Sequence, residues 1–121
     1  AHAARDRSLT ILGGAPNLVR HSSLIRNISV LELACTGLLD VLASGYAPAS
    51  MMLAAFRLPS IDPSFTLSRA FNLVARTPAE VAGLYDRGQI AVGKRADIVQ
   101  IRRIGEVPVV RTVWRMGRRV A

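Results

Sequence analysis

Val41-Leu42-Ala43-Ser44-Gly45-Tyr46-Ala47-Pro48-Ala49-Ser50 decides the fold. Three apolar residues run into a polar, Pro-containing loop. Pro48 and Ser50 then open a helical pattern over Met51–Leu58, which Pro59 is expected to stop. A strand that feeds a loop and a helix is one repeat of an α/β fold, and such folds place their chemistry where the strand ends. Gly45 stands at that end, and a glycine side chain can neither bind a metal nor accept a proton.

The neighbouring segments repeat the pattern. Ser8–Leu12 is an apolar, β-branched run that stops at Gly13-Gly14 and Pro16, the mark of a buried strand followed by a loop. The loop is expected to extend to Asn27. Asn27 or Ser29 can cap the next helix, with Glu32 three residues after Ser29 and Gly37 at its end. Ala1–Arg7 reads as the last turns of a helix, as if the chain were cut from a larger fold. After a Ser60–Pro63 linker, Leu67, Ala70, Phe71 and Val74 form the apolar stripe of a helix running to Arg76. Thr77-Pro78 fits the N-cap and first position of a further helix ending near Gly83.

From Asp86 the period changes. Ala96–Arg102 and Val107–Arg115 alternate as strands, and Met116-Gly117 reads as a hairpin turn. In the second strand Val110, Thr112, Trp114 and Met116 are expected on one face, with Arg111 and Arg115 on the other. The fold class is therefore α/β, with residues 1–85 forming β/α units and residues 86–121 a small β segment. Two parallel strands leave edges unpaired. That points to the end of a larger fold, completed by an upstream segment or by self-association.

Composition narrows the functional classes. The chain has 121 residues, half apolar and one fifth charged, so a core is affordable and disorder is excluded. No apolar run reaches the roughly 18 residues of a membrane span. Cys35 is the sole cysteine, which fits a reducing, cytoplasmic setting. It is expected to be a buried structural thiol, with a nucleophilic role as the alternative. The net charge of +8 is uneven: residues 1–86 carry seven basic and six acidic side chains, residues 87–121 nine and two. An arginine-rich solvent face explains this. A nucleic-acid partner is the alternative, but no helix-turn-helix, zinc or stacking pattern accompanies the charge.

Two motifs carry a family resemblance. Gly88-Gln89-Ile90-Ala91-Val92-Gly93-Lys94-Arg95-Ala96-Asp97-Ile98-Val99 resembles the segment in which amidohydrolase-superfamily enzymes return from a (β/α)₈ barrel to a small β-sandwich. Gly88 and Gly93 permit turns there, Asp97 pins the strand start, and Lys94 and Arg95 are surface residues. Gly14–Arg20, Asn27–Ser29, Leu38–Ser44, Tyr46–Ser50 and Val109–Val120 resemble the PhnM branch of phosphonate-metabolism amidohydrolases. The resemblance implies barrel strands seven and eight with their helices, then the closing β segment.

The resemblance implies a divalent-metal-dependent hydrolysis of ribose 1-methylphosphonate 5-triphosphate to the 5-monophosphate and pyrophosphate. Such chemistry uses histidine and carboxylate ligands, an acid at the end of the last strand, and basic or amide groups for the polyphosphate. The chain has only His2 and His21, neither in a His-x-His pattern. Gly45 occupies the position of the strand-eight acid, and Leu24 that of a loop histidine. No catalytic residue and no metal ligand is therefore expected in this chain, although His21 could compensate for Leu24. Asn17, Arg20, Asn27 and Tyr46 are the candidate substrate-binding residues, with Arg20 either gripping a phosphate or lying in solvent. A PhnM-like hydrolase segment inactive by itself is one reading; a non-catalytic structural or interaction module is the other.

Overall fold

The computed structural model describes residues 1–20 and 29–121. Two short strands, β1 (Leu12–Gly14) and β2 (Val41–Ala43), pair in parallel, with Leu12 opposite Val41 and Gly14 opposite Ala43. Asp40 braces their starting end. Its carboxylate pairs with Arg5 of helix α1 (His2–Asp6) at 2.9 Å and accepts the Ile11 amide at 2.8 Å.

The crossover from β1 to β2 begins with α2 (Ala15–Arg20) and ends with α3 (Val30–Cys35). Of the two caps the sequence offered, the Ser29 hydroxyl caps α3 by accepting the Glu32 amide at 3.0 Å. The loop expected after β1 is instead helical over Ala15–Arg20. Pro16 lies in the first turn, where a missing amide costs nothing, so it opens a helix there rather than preventing one. The remainder of that expected loop, residues 21–28, lies outside the described residues.

After β2 comes α4 (Ser50–Ile61), which continues past Pro59 instead of stopping before it. Pro59 falls in the last turn, and Leu58, whose burial is complete, holds the helix against the core. The Asp62 amide still closes the end on the Leu58 carbonyl at 3.0 Å. The helix expected through Arg76 ends four residues earlier as α5 (Leu67–Asn72), and the further helix expected from Thr77-Pro78 is α6 (Arg76–Val81). The Thr66 hydroxyl caps α5 by accepting the Arg69 amide at 3.1 Å. The break follows from a tertiary bond: the Leu73 carbonyl accepts the Leu42 amide of β2 at 2.8 Å. Helix α6 then starts after Ala75, so Thr77 sits inside it rather than capping it.

The core lies between β2, α2, α4 and α5. Leu18, Leu42 and Leu58 are fully buried, and Ala15, Ala54, Ala55 and Ala70 let the helices approach closely. Edge-to-face packing of Phe56 on Phe71, with ring centroids 5.3 Å apart, extends the core outward. Cys35 corrects an expectation: it is exposed on α3, because Ala34 is the residue of that turn facing the core.

The second sheet is antiparallel: β3 (Ile98–Ile104), β4 (Val107–Arg115) and β5 (Arg118–Arg119), in that order. Gln100 pairs with Thr112 and Ile101 with Val110, so Arg111 is the extra residue of a β-bulge. The bulge shifts the facing of β4 midway. Val110 therefore leaves the expected Thr112–Trp114 face and is exposed. Asp97 does pin this sheet: its carboxylate accepts the Met116 amide at 2.9 Å and pairs with Arg95 at 2.8 Å. Gly88 has φ +89°, and a Cβ there would stand 2.8 Å from both the Ala75 carbonyl oxygen and the Ala79 methyl. Only glycine lets the return segment lie this close to α6.

Candidate functional site

The carboxyl ends of β1 and β2 open onto two segments, Ala15-Pro16-Asn17 and Ser44–Ala49. The latter is a tight turn in which the Ser44 carbonyl accepts the Ala47 amide at 3.0 Å. Gly45 takes its first central position at φ +56°, a conformation that favours glycine. The turn leaves room at this point, since a Cβ on Gly45 would find its nearest neighbour, Pro16 Cγ, 3.9 Å away.

The candidate residues are placed as follows. Asn17 is exposed in the first turn of α2, and its amide nitrogen folds back to 3.6 Å from the position a Gly14 Cβ would take, over the end of β1. Tyr46 is exposed and, with Pro16, Val19, Ala47, Ser50 and Leu53, lines a depression of about 190 Å³. Arg20 is the last residue of α2, while Asn27, His21 and Leu24 lie outside the described residues. Asn17 and Tyr46 thus share one end of the sheet. The depression is walled mainly by apolar side chains, and Ser50 spends its hydroxyl on the Ala47 carbonyl at 2.6 Å.

A metal would need a cluster of ligands, and the described residues contain no group of three or more His, Cys, Asp or Glu side chains able to hold one. The carboxylate nearest in sequence, Asp40, braces the opposite end of β2. The described residues therefore do not fit a metal centre. Cys35 is not activated as a nucleophile. Desolvation, then its hydrogen bond with the Asp62 carboxylate, pushes the thiol pKa up, away from the reactive thiolate.

Sequence reasoning missed Arg57. It lies on α4, and its guanidinium donates to the Val19 carbonyl at the far end of α2, at 2.5 Å. With Ser60, Arg103 and Glu106 it lines a second cleft, of about 410 Å³, which shares Val19 and Leu53 with the depression beside Tyr46. No local pattern marks Arg57, because the cleft exists only once α4 meets the β3–β4 turn.

The chain is 46% identical over 121 residues to the alpha-D-ribose 1-methylphosphonate 5-triphosphate diphosphatase of Escherichia coli (strain K12), a match covering 99% of this chain and 32% of that protein. The chain thus spans about a third of the length of that curated relative. No solved structure matches it. No helix among the described residues is long and apolar enough to cross a membrane. The model of the amidohydrolase family matches residues 8–121, from the run leading into β1 through the last strand. On that match, the chain belongs to the amidohydrolase family.

Proposed function

We propose that this chain is the C-terminal segment of a PhnM-like hydrolase whose whole acts on a phosphorylated ribose phosphonate and releases pyrophosphate with a divalent metal. The single observation that carries this reading is the 46% identity over essentially the entire chain to a diphosphatase of that substrate. In this reading β1 and β2 are barrel strands seven and eight, residues 1–85 are the end of the barrel, and residues 86–121 belong to a small β-sandwich. Asn17, Arg20, Asn27 and Tyr46 contact substrate at the carboxyl ends of the strands. The chain works in the cytoplasm.

The segment is not competent alone, because Gly45 replaces the strand-end acid and metal ligands belong to upstream strands. The test is a metal-supplemented assay for pyrophosphate release from a ribosyl 5-triphosphate. The chain alone is expected to show no turnover above the metal blank; robust turnover would overturn the reading. Gly45→Asp is expected to fold, since the position is open and Asp tolerates positive φ better than most residues. It is expected to stay inactive until the upstream strands are supplied.

A specific observation also favours a non-catalytic interaction module. Leu12 of β1 is 60% exposed although it lies in the parallel sheet. Self-association or an upstream barrel segment would cover it. Sedimentation across a concentration series separates the two: a monomer at all concentrations excludes self-association.

A further inference from the structure

We propose that Arg57 is a positioning residue: from α4 it fixes the far end of α2, and so holds Asn17 and Arg20 in place relative to Tyr46 for the substrate's polyphosphate. The proposal rests on the substrate reading above and adds to it a residue that touches no substrate.

α4 supplies none of the candidate contacts, yet one of its faces grips both segments that do. Ser50, Leu53 and Arg57 follow one another at intervals of three and four residues, so they share a stripe of the helix. At one end of the stripe the buried Ser50 hydroxyl donates to the Ala47 carbonyl, in the turn that carries Tyr46. At the other end Arg57 donates to the Val19 carbonyl, one residue before Arg20 and two after Asn17. Leu53 lies between the two bonds and lines the depression with Pro16, Val19 and Tyr46. Both walls of the depression are thus tied to one rigid element, at points about two helical turns apart.

α2 needs this anchor. Its six residues are too few to hold a helix unaided. Burial of Ala15 and Leu18 in the core fixes its inner face. Val19 is among its last four residues, whose carbonyls have no partner within the helix. A guanidinium gives such a carbonyl a charge-assisted bond, stronger than a neutral donor would. Arg57 has no competing partner: among the described residues no carboxylate forms an ion pair with it. Glu106, which lines the same cleft, pairs with Arg103 at 3.5 Å instead.

The test is calorimetric binding of inorganic tripolyphosphate to the intact chain, at a temperature where circular dichroism shows every variant folded. Arg57→Gln is expected to weaken binding about tenfold. Arg57→Lys, which keeps a donor for the Val19 carbonyl, is expected to recover most of the affinity. In an Arg20→Gln background Arg57→Gln is expected to add less than about twofold, because its effect passes through α2. Leu58→Ala, which loosens the same helix without touching either carbonyl, is expected to leave the affinity within about twofold. Unchanged affinity in Arg57→Gln would overturn the proposal. Independent, additive losses at Arg57 and Arg20 would also overturn it, by making Arg57 a direct phosphate contact. So would a loss in Leu58→Ala as large as that in Arg57→Gln, which would reduce Arg57 to a packing role. Absence of binding by the unaltered chain would remove the positioning role together with the substrate contacts it serves. None of these results decides the hydrolytic reading, which the pyrophosphate assay tests separately.

Discussion

Residues 1–82 and residues 96–121 are held together by different forces. In the first region β2, α2, α4 and α5 bury a continuous cluster centred on Leu18, Leu42 and Leu58. In the second, Pro108 alone is buried, and six large apolar side chains from Val99 to Val120 are exposed by more than a third. Backbone ladders, the Asp97 pin and tight turns define that sheet. The comparison teaches that one region owes its shape to apolar burial and the other to directional bonds. The two should respond to different perturbations.

The largest expected effect attacks the packed region. Leu58→Ala removes a fully buried side chain from α4 and is expected to cost about 2–5 kcal/mol in urea unfolding. Val99→Ala in β3, half exposed, is expected to cost well under about 1 kcal/mol by the same measure. Equal losses at the two sites would erase the distinction. Next comes the seam between the regions. Gly88→Ala forces a methyl against the Ala75 carbonyl and Ala79 and is expected to cost about 2 kcal/mol or more. Gly93→Ala has a similar φ of +81° but nothing within 4 Å, so it carries only the backbone strain, about 1 kcal/mol. The difference between these two melts measures the steric contact alone.

A smaller effect depends on pH. The Met116 amide, followed by the Arg95 guanidinium, holds the Asp97 carboxyl below its ordinary pKa. A depressed carboxyl contributes stability that is present above its unfolded pKa and lost as pH falls through the folded value. Loosening of the Met116 turn is therefore expected in acid, below the ordinary carboxylate range. Amide exchange at Met116 should follow that titration in the native chain and lose it in Asp97→Asn. The smallest effect is at Arg76–Glu80, an exposed i,i+4 pair at 2.8 Å. Arg76→Gln is expected to cost at most about 0.5 kcal/mol, and less in high salt.

Legibility in the sequence followed the same division of forces. β4 spans Val107–Arg115 and β2 spans Val41–Ala43, as their patterns predict, because alternation and short apolar runs are local signals. Ser29, offered beside Asn27 as the cap of α3, was readable for the same reason. That two helices follow one another here was legible at Thr77-Pro78, but the place of the break at Leu73 was not, since it depends on the Leu42 amide reaching Leu73 from a distant strand. Pro59 misled because proline's effect depends on its place within the helix, which only the packed length of α4 reveals. At the candidate site, Asn17 and Tyr46 were legible as strand-end residues, while Arg57 has no local signature.

Gly45 has an evolutionary consequence. The turn that carries it leaves open space at the strand end, and nothing in the described residues has grown into that space. A glycine codon can become an aspartate codon through a single base change. A lineage carrying this sequence could therefore place an acid there in one step without first remodelling its core.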